Sequence, residues 1–237
     1  MTACVMTRFR LLMVCGVTLY AGVSSFAAEK ICDHDVVLDQ NNRIQPWTSY
    51  DNIIRWSMNF IKQCPATRTK FGDDPWYLVT SELTEKSTFL RNQNCQGNHA
   101  YWGVETLVRY YAYSGDKEAF KSIRLILDRI LQYHTPNGWA WPSVPRTQDN
   151  TPDGEYTDQY GEPDKISGVG IAYIKFYKLT GEEKYLAAAR AIAETIASHV
   201  GPGDADTSPL PFRVDLKTGK TIGRYTAHMV SSVAFFD

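Results

Sequence analysis

Beyond residue 100 the apolar residues recur every three or four positions, in stretches of helix length separated by short polar turns. Val104, Leu107, Val108 and Tyr111 mark one helix; Phe120, Ile123, Leu127, Ile130 and Leu131 stripe the next. Between them lies Ser114-Gly115-Asp116. Glycine ends a helix by accepting a left-handed backbone, and an acid favours the positive end of the helix that follows. Two stripes and a tight turn predict an α-hairpin. A second hairpin is predicted at 168–180 and 182–199, where Ala187-Ala188-Ala189 and Ala191 let a neighbouring helix approach closely. An earlier helix is predicted over 49–63, carried by Ile53, Ile54, Trp56, Met58, Phe60 and Ile61. Tyr225 to Phe236 begins another amphipathic helix.

The two hairpins are copies of one unit, offset by 66 residues. Leu107-Val-Arg-Tyr-Tyr-Ala-Tyr-Ser-Gly-Asp116 aligns with Tyr173-Ile-Lys-Phe-Tyr-Lys-Leu-Thr-Gly-Glu182, and every class of residue agrees except Ala112 against Lys178. The match continues without a gap through Phe120/Leu186, Arg124/Arg190, Ile126/Ile192, Asp128/Glu194 and Ile130/Ile196, then Pro136/Pro202 and Pro145/Pro211. Tight turns join the helices within a unit, whereas long segments, 135–167 and 200–224, join the units. Long irregular connections are uncommon unless they serve a function. Because the helices alternate in direction, these segments emerge on the same end. The expected architecture is all-α: an α/α toroid with its site among the long loops.

The runs Thr135-Pro-Asn-Gly-Trp-Ala-Trp-Pro-Ser-Val-Pro145, Glu162-Pro-Asp-Lys-Ile-Ser-Gly168 and Gly201-Pro-Gly-Asp-Ala-Asp-Thr-Ser-Pro-Leu-Pro-Phe-Arg213 carry a further signal. Over roughly residues 90–237 the chain resembles secreted bacterial proteins of the six-hairpin glycosidase-like superfamily. The resemblance implies a ring of six hairpins and a place among glycoside hydrolases or polysaccharide lyases. Two complete hairpins are legible here, with an irregular one before them and one begun at the end. The expectation is therefore an incomplete ring, the N-terminal part of a longer protein, with catalytic residues also beyond Asp237.

The first thirty residues read differently. Arg8 and Arg10 form a positive segment, Leu11 to Gly22 an apolar one, and Ser25-Phe26-Ala27 supplies small residues for a signal peptidase. This gives a signal peptide over 1–27, an N-terminal arm over 28–48 and a partial toroid domain over 49–237. The mature protein is expected to be secreted or periplasmic. No apolar run long enough to span a bilayer follows residue 30, so no stable membrane insertion is expected after cleavage. Cleavage removes Cys4 and Cys15 and leaves Cys32, Cys64 and Cys95, an odd number in an oxidising compartment. A Cys32–Cys64 bridge with one free thiol and three unpaired thiols both fit.

Lys and Arg total 25 against 26 for Asp and Glu, which argues against nucleic acid as a partner, since that needs excess positive charge. No GxSxG, phosphate-binding loop or complete dinucleotide fingerprint is present, and no cofactor is expected. Asp153-Gly-Glu155-Tyr156-Thr157-Asp158 lacks the full calcium-loop spacing, and the histidines show no metal-ligand pairing, so no metal is expected.

The segment 135–167 gathers aromatic and acidic residues suited to a poly- or oligosaccharide. Aromatic faces stack on sugar rings, and a pair of carboxylates serves as acid and base, or acid and nucleophile, across a glycosidic bond. Glu155 and Asp164 are the leading catalytic candidates, with Asp153 and Glu162 as substitutes. Trp139, Trp141 and Tyr156, with His99 and Trp102 at a helix entrance and Arg213 after a Pro-Phe bend, are the candidates for substrate binding. A lyase would instead need a Tyr, His or Lys base and a cation for the uronate carboxylate, for which Tyr156, Arg146, Lys165 and Arg213 qualify by residue type. A non-catalytic glycan-binding protein would use the same aromatics.

Overall fold

The computed structural model describes residues 38–44, 49–69, 72–75, 96–147 and 159–237. The signal segment and Cys32 and Cys95 lie outside the described residues. No helix among the described residues is long and apolar enough to cross a membrane. The chain divides into two compact units, Met1–Ser57 and Met58–Asp237.

In the first unit, Leu38 and Ile44 form an antiparallel bridge around a tight turn. Asp39 Oδ1 accepts the backbone N–H groups of Asn41 and Arg43, both at 2.8 Å, and Asn42 takes the left-handed conformation (φ 58°). Ser49 Oγ accepts the Asn52 N–H at 3.3 Å and so caps helix α1, Tyr50–Lys62. The expected helix over 49–63 is therefore present. Its aromatic residues are not all buried, since Trp56 and Phe60 stay exposed. In the second unit Met58 is buried, and Cys64 makes no disulfide with a described residue.

Helices make up most of the second unit. They are α2 (Gln96–Ser114), α3 (Ala119–Leu131), α4 (Pro163–Thr180), α5 (Glu183–Ala197) and the short α6 (Val230–Phe236). Both predicted hairpins form, α2 with α3 and α4 with α5, and α2, α4 and α6 pack side by side. The 66-residue offset holds atom by atom at the turns. Gly115 and Gly181 are left-handed (φ 70° and 72°), and their N–H groups close on Tyr111 O at 2.8 Å and Tyr177 O at 2.7 Å. Ser114 Oγ accepts from Asp116 N, and Thr180 Oγ1 accepts from Glu182 N.

Each turn acid is also held by a cation from the helix before its own unit. Asp116 pairs with Lys62 of α1, and Glu182 with Arg124 of α3 at 2.6 Å. On α3 the predicted Ile123, Leu127 and Ile130 are buried, joined by Ala119 and Ile126, while the predicted Phe120 and Leu131 are half-buried; on α5 Tyr185, Ala188, Ala189, Ile192 and Ile196 are buried. An aromatic chain from Tyr111 through Phe120, Phe176 and Tyr185 to Tyr173 crosses from one unit to the next.

Helix α4 begins five residues before the predicted start at 168, because Pro163 at its first position has the backbone angle a helix start requires. It is buried almost all round near its start, with Ser167, Gly168, Gly170 and Ala172 letting neighbours close in. At Gly170 a Cβ would lie 2.3 Å from Phe235 Cζ of α6.

Short strands, which the all-α expectation did not contain, supplement the helices. β1 (Ala66–Thr69) pairs with β2 (Gly72–Pro75) as a hairpin. β3 (Tyr160–Gly161), β4 (Arg213–Asp215) and β5 (Thr221–Gly223) form an antiparallel sheet in the order β3-β4-β5. Tyr160 stands opposite Asp215 and Gly161 opposite Val214. This sheet draws the two long segments together. Trp141 N–H donates to Leu216 O at 2.9 Å and Leu216 N–H to Gln159 O at 2.7 Å. The final helix is shorter than predicted, starting at Val230 rather than Tyr225.

His134 follows α3 in a half-buried position, with Nε2 3.1 Å from Tyr173 Oη. Burial pushes its pKa down to about 4, against a smaller opposing effect of a backbone hydrogen bond to Ser143. The folded chain thus keeps the ring neutral down to about pH 4, while the unfolded chain protonates it near 6.5. Stability from this source is complete above about pH 6.5 and drains away as the pH falls from there to about 4, by up to about 3 kcal/mol. Denaturant unfolding between pH 7 and 4 should show this loss, and His134→Gln should flatten it. Gly170→Ala should cost about 1–3 kcal/mol through overpacking on Phe235, read as a lowered Tm, and Phe235→Leu in the same chain should recover part of it.

Candidate functional site

The predicted catalytic acids meet the structure in two groups. Asp153 and Glu155, with Tyr156, lie outside the described residues. Glu162 and Asp164 flank Pro163 at the start of α4, on the end where the long segments gather.

Glu162 occupies the N-cap position in an extended conformation, and its residue is 0% exposed. A buried carboxylate needs its charge neutralised nearby. Arg213 of β4 supplies this, with Nη2 at 2.6 Å and Nε at 3.0 Å from Glu162 Oε1, and Lys165 Nζ binds Oε2. The Glu162 N–H donates to Thr147 Oγ1 at 2.8 Å. Glu162 therefore joins the first long segment, the start of α4 and the sheet. That placement makes it an anchor. Arg213, predicted to bind substrate, spends its guanidinium on Glu162 and lies over the Phe212 ring at 5.4 Å.

Asp164 differs. It is half-buried in the first turn of α4 and makes no salt bridge among the described residues. Burial pushes its carboxyl above the ordinary aspartate value. The Glu162 charge adds to that shift, while the Lys165 contacts and His228 oppose it. An acid that keeps its proton to higher pH and is not locked in an ion pair has the properties of a proton donor. His228, two residues ahead of α6, brings a second titratable group to the same neighbourhood.

The aromatic candidates divide as well. Trp141 is 2% exposed and stacks on His199 with ring centroids 4.1 Å apart, so it is a packing element rather than a sugar platform. Trp139 is half-buried and carries the Arg146 guanidinium 5.0 Å from its ring centre. Trp102, on α2, is 64% exposed. His99 lies in the second turn of α2. No cluster of His, Cys, Asp and Glu suited to a metal occurs among the described residues.

Sequence reasoning missed His228 and His199 as neighbours of chemistry. The signal for His228 was its place in the first turn of the last predicted helix. His199 lines a cleft of about 270 Å³ formed by the second long segment and β5.

No protein-family model matches the chain, and no curated protein matches it. Among solved structures, a sugar epimerase from a ruminal bacterium matches with a TM-score of 0.57 at 12% identity. The match covers 78% of this chain and 46% of the epimerase. The likeness is one of fold. The chain spans less than half the length of that neighbour.

Glu162→Gln would leave Lys165 and Arg213 facing each other without the charge that reconciles them. A loss of about 3 kcal/mol is expected in urea unfolding. A variant as stable as the parent would show that the anchor is dispensable.

Proposed function

We propose that this chain belongs to a secreted or periplasmic carbohydrate-active enzyme, a glycoside hydrolase acting on a poly- or oligosaccharide, with Asp164 as the proton donor. The observation that carries this reading is the Asp164 carboxyl, raised in pKa by burial and free of a salt bridge, at the end of the bundle where the long segments meet. Glu155 is the proposed second carboxylate, with Asp153 as its substitute, and Trp102 the proposed stacking surface. Glu162 enters as the residue that fixes the backbone of Asp164. The remaining hairpins of an α/α toroid would complete the groove.

Elimination from a uronate polymer is less well supported, because Lys165 and Arg213, two of the candidate cations, already bind Glu162. A second reading has a specific observation in its favour. The fold neighbour is a sugar epimerase, and His228 beside Asp164 would supply the second proton-transfer group that inversion at a sugar carbon needs.

A panel of neutral and acidic oligosaccharides separates these readings. New reducing ends without ultraviolet absorbance indicate hydrolysis, both together indicate a lyase, and an isomer of unchanged mass indicates epimerisation. Asp164→Asn should lower kcat by about 10²–10⁴-fold with substrate affinity retained. In the parent, the alkaline limb of the kcat/KM profile should lie above that of an ordinary aspartate. Silence from folded protein across the whole panel would overturn the enzyme reading in favour of glycan binding.

A further inference from the structure

The cleft beside His199 shares no lining residue with the Glu162–Asp164–Lys165–Arg213 group. Its volume of about 270 Å³ falls just below the roughly 300–1,000 Å³ of pockets that take drug-sized ligands, which suits one ring rather than a chain. Its walls are built rather than incidental. Gly201 N–H donates to Pro209 O at 2.8 Å, and Asp204 N–H donates to Thr207 O at 2.7 Å. Gly203 is left-handed (φ 69°), and a Cβ there would meet Pro209 Cδ at 2.9 Å. The loop is thus closed on itself before any ligand arrives, which reduces the ordering cost of binding.

The chemistry of the lining is specific. His199 Nδ1 lies 2.8 Å from Thr195 O and 3.1 Å from Ser198 Oγ. Ser198 Oγ itself donates to Thr195 O at 2.8 Å, so both neighbours of Nδ1 are acceptors and Nδ1 carries the proton. In the tautomer that donates from Nδ1, Nε2 is an acceptor, and the stack on buried Trp141 fixes the ring plane. Asp204 Oδ1 accepts the Asp206 N–H at 2.8 Å, and Oδ2 makes no hydrogen bond among the described residues. Pro202, Pro209 and Pro211 supply C–H surface. No Lys or Arg lines the cleft, and its one charged side chain is an acid.

Two fixed acceptors with apolar ring surface, and no cation, match the hydroxyl groups and C–H face of a neutral sugar and repel phosphates and uronates. We propose that this cleft is a second, non-catalytic subsite that binds a single neutral pyranose. The inference goes beyond turnover at Asp164 and does not depend on it.

The test titrates the isotope-labelled protein with methyl α-glucoside, methyl β-galactoside and N-acetylglucosamine, with glucuronate and inorganic phosphate as comparators. Saturable binding of at least one neutral sugar is expected, with shifts at the His199 imidazole and weaker or no binding of the two anions. His199→Phe keeps a ring for Trp141 and removes the acceptor, and it should weaken binding at least tenfold. Asp204→Ala, on the exposed loop, should also weaken it if His199→Phe proves poorly folded. Asp164→Asn should leave this binding unchanged, even if it abolishes turnover or if no turnover is found. Three results would each overturn the proposal: no saturable binding by any neutral sugar, anions bound more tightly than neutral sugars, or binding lost in Asp164→Asn but kept in His199→Phe and Asp204→Ala.

Discussion

A carboxylate without access to water must have its charge answered where it stands, and Glu162 imposes this condition where three parts of the chain meet. Arg213 arrives from the sheet and Lys165 from the first turn of the helix that Glu162 caps, while Thr147 of the first long segment accepts the Glu162 backbone N–H. Each is useful only if the others are in place, because a lone cation or a lone acid at this depth would be costly. The start of α4 is thereby fixed in position and direction. Asp164, two residues on, inherits that placement without sharing its ion pairs. One acid serves as a strut, and its neighbour is left without an ion pair among the described residues.

The hairpins were legible because their signals are local. Gly115 and Gly181, the hydroxyl residue before each and the acid after each lie within three residues, and the structure reproduces the turns at both copies. The start of α4 was misplaced because Asp164 and Lys165 look like loop residues, and only Pro163 at the first helical position marks the boundary. The sheet was not legible, since strands of two or three residues show too little alternation to register. Its clearest trace is the turn from Asp215 to Lys220, where Asp215 Oδ1 accepts two backbone N–H groups and Gly219 is left-handed.

The candidate site was legible in residue type and less so in role. Asp164 was singled out from an acidic, aromatic segment, and ion pairing then distinguishes it from Glu162, which shares that segment but is locked. Trp141 looked equivalent to Trp139 along the chain. Its partner, His199, belongs to the following unit, so its role in packing follows from the tertiary fold alone.

The cations that clasp the two turn acids have a consequence for the order of events during synthesis. Asp116 is held by Lys62, and Glu182 by Arg124. In both cases the clasp reaches back to a helix already made. The turn of each hairpin leaving the ribosome therefore finds its clasp already made. The turns can thus be clasped from the N-terminal side, one unit at a time, each clasp closing a separation of 54 or 58 residues.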